Sequence, residues 1–417
     1  MSYIRRLLLW SALFALVTTG TACAQEYTKP RVRAITAFLR VDRANLVRDV
    51  NHTLAVLQQA KEGLVKEGYE VQTVRIVTQP FPELVAGLSD ANALAFLKEL
   101  DQLAAQKEFS ANVGPAMLRD ADDPHMMQLL AEALAVLPHI QASAIIAGDD
   151  GIHWKVIHET AGLVRYVADH SVHGEGSGNL NFTASAMVKP YGPFFPAAYH
   201  LGQGRQLSIG FEGANVVQEV FSRTHGEFDA SVAELTKQLT VHAKVAEAVG
   251  RRVAASNGWS FMGVDPTPAP RPGVSIGAAI EKYTGAPFGS SGTMTAALVI
   301  TTAVKAVPVQ QIGYSGLMMP VMEDPELSLR WSQGAVNIDN LLAYSAVCGT
   351  GLDTIPLPGN VTVDQLSRIY GDVASLAWKW KKPLAARLLP FKSLKAGDRT
   401  HLVGQGIANT TIHGLME

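Results

Sequence analysis

The stretch "NLVRDVNHTLAVLQQAKEGLVKEGYEVQTVRIVTQPF", residues 45–81, decides the class of fold. Its first part, 45–68, repeats apolar residues at helical spacing and ends at a glycine, which predicts an amphipathic helix. Its second part, 69–81, is rich in β-branched residues and predicts a strand. The segment "RVRAITAFL" just before residue 40 predicts another strand. This alternation of strands and helices is typical of α/β proteins.

The alternation continues to about residue 390. Further strands are predicted at 142–148, 180–188, 206–213, 260–266, 310–319, 352–358 and 384–390. Further helices are predicted at 90–106, 123–138, 152–169, 227–251, 273–283, 293–306, 337–347 and 362–380. Apolar strands of this kind predict a largely parallel sheet that is covered by helices. About nine or ten strands favour a barrel with the helices outside, and we expect residues 25–417 to form a single domain.

The N-terminus has the plan of a secretory signal peptide. Two arginines precede a short apolar run, and the small residues Ala22, Cys23 and Ala24 follow it. We therefore predict a signal peptide at residues 1–24, cleaved after Ala24, and a periplasmic or secreted protein. The apolar run is too short for a confident membrane span, so no integral span is expected after cleavage. A lipoprotein modified at Cys23 is the alternative, which Gly20 disfavours because a large aliphatic residue is usual there.

The composition excludes several classes of protein. The formal charge is -2, and removal of residues 1–24 takes away Arg5 and Arg6 and no acid, which leaves -4. No basic cluster with interleaved aromatic residues is present, so nucleic acid is not an expected partner. The mature chain would keep one cysteine, Cys348, and could form no internal disulfide. A small-molecule ligand is the expected partner, and a homo-oligomer remains open.

Several blocks of sequence resemble one family. They are "PFFPAAYH" (193–200), "MGVDPTPAP" (262–270), "GAPFGSSGTMTAALVITTAVK" (285–305), "GYSGLMMPVMEDPELS" (313–328) and "AVCGTGLDTIPLPG" (346–359). Together they resemble domain of unknown function 711, also called UPF0210, over about residues 32–400. The resemblance implies a pyruvate formate-lyase-like α/β barrel of about ten strands, related in fold to glycyl radical enzymes. It implies no established reaction, and the signal peptide departs from the typical members, which look cytosolic.

Cys348 is the first candidate site residue. In glycyl radical enzymes a cysteine inside the barrel relays a radical from a glycine near the C-terminus. The tail "HLVGQGIANTTIHGLME" lacks the Arg-Val-x-Gly-aromatic segment that carries this glycine, so non-radical chemistry is expected. Cys348 could act as a thiolate nucleophile only if a base came from elsewhere in the fold. The alternative is a small, buried and inert thiol at the end of a helix.

A glycine- and serine-rich turn is the second candidate. It consists of Gly289, Ser290, Ser291, Gly292 and Thr293, directly before a predicted helix. Free backbone amides at a helix N-terminus bind anions, and the glycines would let a ligand approach closely. No lysine follows the last glycine, so no nucleotide fingerprint is present. The alternative is a capped helix with a tight turn.

The remaining candidates are groups that could move protons or bind a metal. His200 ends one of the family blocks, and an imidazole there could transfer protons near neutral pH. Tyr199, directly before it, is a candidate for substrate binding. Asp265 and Asp353 follow apolar strands and are candidates for the same work. The oxygens of Glu212, Glu323 and Asp324 would suit Mg²⁺ or Ca²⁺, although the cofactor is otherwise unknown. The alternative for each carboxylate is a turn or cap residue.

Two functions remain open. The first is an exported non-radical enzyme, a lyase, isomerase or hydrolase, that acts on a small polar anionic metabolite at the mouth of the barrel. Ser290, Ser291 and Thr293 would bind the anion, while His200 with one of the two aspartates would transfer protons. The second is an exported protein that binds a small molecule or metal without turnover. An acid or base with a perturbed pKa in the cleft would favour the enzyme.

Overall fold

The computed structural model describes residues 28–404 and 406–415, so the predicted signal peptide lies outside the described residues. The strands are β1 (Arg31–Leu39), β2 (Val71–Val77), β3 (Ser110–Pro115), β4 (Ile140–Gly148), β5 (Gly151–Ile152), β6 (Phe182–Ala186), β7 (Arg205–Glu212), β8 (Ser260–Asp265), β9 (Gly351–Pro358) and β10 (Leu384–Phe391). The helices are α1 (Leu46–Lys66), α2 (Phe81–Leu84), α3 (Asp90–Lys107), α4 (His125–Val136), α5 (Trp154–His170), α6 (Ala214–Thr224), α7 (Phe228–Ser256), α8 (Ile276–Thr284), α9 (Thr293–Lys305), α10 (Pro325–Ser332), α11 (Ile338–Val347) and α12 (Val363–Trp380).

The ten strands form one mostly parallel sheet in the order β8-β7-β1-β2-β3-β4-β6-β10-β9, with β5 paired to β4. Strands β1, β2, β3, β4 and β6 are parallel to one another. A parallel pair flanks each side of this centre. The pair β7–β8 is joined through antiparallel pairing of β7 with β1, and the pair β9–β10 through antiparallel pairing of β10 with β6. The predicted α/β class, with about ten largely parallel strands and helices around them, is confirmed.

The predicted strand at 310–319 is wrong, because this segment makes only isolated bridges. Gln311 bridges Val264 of β8, and Pro320 bridges Asp353 of β9. Gly313 and Gly316 within the segment, and Pro320 directly after it, disfavour a regular ladder. The segment nevertheless contacts both edge strands of the sheet, so it occupies the gap between them without continuous strand pairing.

The loop 189–200, between β6 and β7, packs against the inner face of the sheet. The hydroxyl of Thr36 on β1 donates to the carbonyl of Pro193 at 2.9 Å. The side-chain amide of Asn112 on β3 donates to the carbonyl of Pro196 at 2.7 Å. These bonds hold the loop inside the curved sheet, so little open space remains there. Among the described residues, no helix is both long enough and apolar enough to span a bilayer.

Candidate functional site

Two adjoining chambers lie between the inserted loop and the sheet. The inner chamber has a volume of about 40 Å³ and the outer one about 310 Å³. The residues that line both are Arg33, Arg75, Phe195, Pro270, Glu323 and Arg387. Asp353 and Tyr314 line the inner chamber only. The boundary between the chambers is therefore rich in arginine.

Arg33 reaches the chambers because β1 contains an irregularity. The pairing of β1 with β7 shifts by one residue between Val32 and Ala34, which leaves Arg33 as the extra residue of a β-bulge. Regular alternation would place Arg33 on the same face as Ile35 and Ala37. Those two side chains lie in the main hydrophobic core. The bulge instead lets Arg33 line both chambers, as bulges often do beside functional sites.

Asp353 and Arg387 lie at a second irregularity. Ala386 pairs with Leu352, and Leu388 pairs with Ile355, so the register between β9 and β10 shifts at this point. Here Nε of Arg387 donates to Oδ1 of Asp353 at 2.7 Å. Both side chains line the inner chamber.

The charged side chains form a continuous ion-pair chain. Glu212, at the end of β7, accepts from Nε of Arg31 and from Nη1 of Arg33, each at 2.5 Å. Glu323 lies 3.4 Å from Nη2 of Arg33 and also accepts a hydrogen bond from Arg387. Buried charges are costly unless they are paired in this way. The chain therefore keeps several ionised groups inside the protein.

The two carboxylates that share Arg387 differ in their pKa. Burial raises the pKa of Asp353, and the negative charge of Glu323 adds to this effect against the attraction of Arg387. Burial would also raise the pKa of Glu323, but the guanidinium groups of Arg387 and Arg33 lower it overall. Of the two acids, Asp353 therefore holds a proton more readily, which suits an acid or base in a chamber.

Arg75, on β2, is a buried cation outside this chain. Its side chain lies in both chamber walls, and the residue is 7% exposed. Nε donates to the hydroxyl of Thr73 at 3.0 Å, and the guanidinium carbon lies 4.9 Å from the centre of the Phe195 ring. No described carboxylate pairs with it. Burial, with the charge of Arg33, lowers the pKa of Arg75 to about 9, so it stays mainly cationic at neutral pH.

Tyr314 supplies a further donor in the inner chamber. Burial raises the pKa of its phenol, with a contribution from the charge of Asp353, so the hydroxyl group stays protonated. Within the described part of the chain, this hydroxyl group makes no hydrogen bond. It is therefore available to donate to an oxygen atom of a ligand.

Asp265, a candidate from the sequence, holds the segment 310–321 against β8. Its carboxylate accepts from the backbone amide of Tyr314 at 2.8 Å and from that of Ser315 at 3.1 Å. It also accepts from the amide and the hydroxyl group of Thr267. Burial raises the pKa of Asp265 to about 6, against these hydrogen bonds, which favour the charged form. The carboxylate does not line either chamber.

His200 and Tyr199 are buried in the inserted loop and do not line the chambers. Burial lowers the pKa of His200 to about 4, so its ring is neutral at neutral pH. The ring centre lies 5.8 Å from that of Tyr191. The hydroxyl group of Tyr199 donates to the carbonyl of Val188 at 2.9 Å. Both side chains thus pack within the loop.

Cys348 lies at the C-terminal end of α11 and is fully buried. Burial raises the pKa of its thiol to about 11, although the charge of Lys382 acts in the opposite direction. Nζ of Lys382 donates to the carbonyl of Ser345 at 2.7 Å and also to the carbonyl of Cys348. The lysine thus caps the helix end, and the thiol is protonated and outside the chambers.

The glycine- and serine-rich turn lies at the surface, before α9. Ser290, Ser291 and Gly292 are exposed, and the amide of Gly289 donates to the hydroxyl group of the buried Thr293 at 3.1 Å. None of these residues lines the chambers. The turn and the chambers are therefore separate features of the molecule.

The three carboxylates suggested for a metal do not converge. Asp324 caps α10 and also accepts from the hydroxyl group of Ser275 and the amide of Ile276, each at 2.6 Å. Glu212 and Glu323 pair with arginines, as described above. Among the described residues, no group of three or more histidine, cysteine, aspartate or glutamate side chains has the arrangement of a metal site.

Comparison with known proteins identifies the family. The sequence matches the family described as "Uncharacterised ACR (DUF711)" over residues 26–403. The chain belongs to this family. It is 30% identical over 403 residues to the UPF0210 protein of Pyrobaculum aerophilum, covering 89% of this chain and 88% of that one. It is 27% identical over 354 residues to a UPF0210 protein of Listeria monocytogenes, covering 81% and 78%.

Among solved structures, this DUF711 member is similar to the anaerobic ribonucleotide reductase from Thermotoga maritima in complex with dATP and CTP. The TM-score is 0.42 and the identity 8%, covering 85% of this chain and 75% of that one. A TM-score below 0.5 identifies neither a shared fold nor a shared reaction. The fold of the DUF711 member is established by its own sheet.

The sequence interpretation included Asp353 and Glu323 but missed Arg33, Arg75 and Arg387. Each of these arginines lies inside a strand in which apolar residues predominate. Arginine is rarely buried unless it is paired or bound to something, so a charge in such a strand is informative. That pattern could have located the chambers of this DUF711 member from the sequence.

Proposed function

We propose that this DUF711 member is an exported, non-radical enzyme, a lyase, isomerase or hydrolase, that acts on a small polar anion inside the curved sheet. The observation that carries the proposal is the buried guanidinium of Arg75, which faces both chambers without a carboxylate partner. An anion that enters the chambers would supply the missing charge and form short, strong hydrogen bonds.

Asp353 favours an enzyme over a protein that only binds. Its raised pKa makes it able to give or take a proton in the chamber that Arg75 also lines. The phenol of Tyr314 can donate a hydrogen bond to an oxygen that gains negative charge during the reaction. An acid with a perturbed pKa and a neutral donor in one chamber are the parts that proton transfer requires.

The binding step is tested by thermal shift of the chain beginning at Gln25. We expect acetate, phosphate or succinate to raise the melting temperature of the wild type and of Arg252→Met, but not of Arg75→Met. Arg252 is an exposed arginine on α7 and controls for the lost charge. An equal response of the two variants would disprove the binding site.

The catalytic step is tested with the ligands that bind. We expect mass spectrometry to detect a product with the wild type and none with Asp353→Asn, while both proteins bind the ligand. Equal product formation by the two proteins would remove Asp353 from the mechanism. Binding by the wild type without a product from any ligand would favour the alternative, a binding protein.

Export is tested separately, by the mass of the protein recovered from its native host. An N-terminus at Gln25 in the periplasmic or secreted fraction is the expected result. A chain that retains Met1 in the cytoplasm would contradict export. A lipid on Cys23 would favour the lipoprotein alternative over cleavage after Ala24.

A further inference from the structure

Arg271 is a second arginine outside the ion-pair chain. It lies in the loop after β8, where its backbone pairs with that of Val274. Its side chain lines the outer chamber but not the inner one. Nε of Arg271 is buried without a hydrogen-bond partner, and no carboxylate of the described residues forms an ion pair with this side chain. Like Arg75, it is a cation whose partner is missing.

The other charges around the chambers compensate one another. The members of the ion-pair chain, in order, are Glu70, Arg31, Glu212, Arg33, Glu323, Arg387 and Asp353. It contains three arginines and four carboxylates, so it carries no net positive charge whether or not Asp353 is protonated. The two arginines outside the chain are therefore the cations left for a ligand, one at the boundary of the inner chamber and one in the outer chamber.

We propose that the ligand is a small dianion, with one anionic group bound by Arg75 and the other by Arg271. This inference rests on the proposed function and specifies the class of its substrate. Both arginines lie in the wall of the outer chamber, so each can bind one anionic group of a short dicarboxylate or of a carboxylate that also carries a phosphate. The outer chamber, of about 310 Å³, has room for such a molecule.

The experiment compares the affinities of monoanionic and dianionic ligands by calorimetry at pH 7 and constant ionic strength. Butyrate and succinate have the same length and differ in one carboxylate. The spacing of the two anionic groups is varied with malonate, glutarate and adipate, and their type with phosphoglycolate. We expect at least one dianion to bind the wild type at least ten-fold more tightly than butyrate. Arg271→Gln should remove this advantage and leave butyrate within two-fold of its wild-type affinity, while Arg252→Gln keeps the advantage.

Three results would overturn the inference. One is that the wild type binds butyrate and every dianion with equal affinity and Arg75→Met binds none of them. This result would overturn the inference and leave the proposed function intact. Another is an advantage of the dianion that survives in Arg271→Gln. The third is an equal loss in Arg271→Gln and Arg252→Gln, which would indicate a long-range effect of net charge. If no anion binds and Arg75→Met behaves as the wild type, the proposed function itself fails.

Discussion

At the scale of single residues, Asp353 and Glu323 compete for one guanidinium, that of Arg387. Glu323 also pairs with Arg33, which stabilises its charged form, whereas Asp353 has Arg387 as its ion-pair partner. The two acids are therefore unequal, and Asp353 holds a proton more readily than Glu323 does. This asymmetry makes Asp353 the better candidate for an acid or base beside these cationic groups.

The asymmetry predicts how ligand affinity depends on pH. A charged Asp353 repels an anion, so the affinity of the wild type for succinate should fall as the pH rises through the raised pKa of Asp353. In Glu323→Gln the negative neighbour is absent and Asp353 pairs more strongly with Arg387, so this fall should move to lower pH. Calorimetry across the pH range measures it. Glu212→Gln, which does not remove a partner of Arg387, is the control, and an equal displacement in both variants would contradict the coupling.

Cys348 gives a second prediction at this scale. Since its thiol is buried and its pKa is raised to about 11, it should react with Ellman's reagent at pH 8 far more slowly in the native chain than after unfolding in guanidinium chloride. The chain beginning at Gln25 has this single cysteine, so the rate of the reaction reports on Cys348 alone. Rapid reaction of the native chain would reveal an accessible thiolate and return Cys348 to the list of nucleophiles.

At the scale of elements, Gly313 lets the segment 310–321 approach β8. Its φ is +71°, and a Cβ atom there would lie 2.3 Å from Oδ2 of Asp265. Gly285, after α8, has a similar φ of +68° but no atom within 4 Å of such a Cβ. The two positions share a left-handed backbone and differ in the space around it.

The pair predicts unequal costs of substitution. Gly285→Ala should lower the free energy of unfolding by about 1 kcal/mol, the cost of a left-handed alanine. Gly313→Ala should lower it clearly more, because the methyl group also displaces the carboxylate that holds the segment. Urea denaturation of both variants gives the comparison. Equal losses would show that Asp265 can move aside freely.

The elements also show what the sequence could predict. The long helices, and most strands with continuous apolar runs, were found because their periodicity extends over many residues. Strand β3 and helix α10 were missed because each is short, so few turns or alternations carry the pattern. Helix α6 was also missed, although it is longer than α8. The bulges at Arg33 and at Asp353 could not be found, since one unpaired residue barely changes the alternation of a strand.

At the scale of the whole molecule, strand order decides which residues meet. Glu323 and Asp353 were candidates, but nothing in their spacing indicates that β1, β2 and β10 bring three arginines to them. The serine-rich turn has a composition suited to anions, yet it lies outside the chambers. Composition identifies groups that can bind an anion, whereas the pairing of distant strands decides which of them share a chamber.

Buried histidines make the stability of the whole chain depend on pH. Burial lowers the pKa of His200 and of His242 to about 4, and Nδ1 of His242 lies 2.9 Å from the hydroxyl group of Tyr69. Near pH 5 the unfolded chain therefore binds more protons at these groups than the folded chain does. Their contribution is complete above the ordinary histidine pKa of about 6.5 and is lost as the pH falls towards 4. Asp265, whose pKa is raised to about 6, acts in the opposite direction.

A variant isolates the histidine contribution. His242→Asn keeps a possible acceptor for Tyr69 and should flatten the dependence of unfolding free energy on pH between 6.5 and 4 by up to one proton. Urea titrations at several pH values measure this slope. His52→Asn, at an exposed position of α1, should leave the slope unchanged. A slope that is unaltered in His242→Asn would mean that this ring binds protons equally in the folded and the unfolded chain.

The segment 310–321 makes few backbone hydrogen bonds to the neighbouring strands, and it lines the inner chamber. Three backbone hydrogen bonds tie it to the edge strands, through Val264 and Asp353, and its residues Tyr314, Met318 and Pro320 line the chamber. Amides in this segment that are not bonded to Asp265 or Thr267 should consequently exchange with deuterium faster than those of β1 to β4, and a bound anion should slow them. Uniform exchange across the wall would contradict this expectation. The part of the wall with the fewest backbone hydrogen bonds to neighbouring strands is therefore a part that would touch a ligand in the chamber.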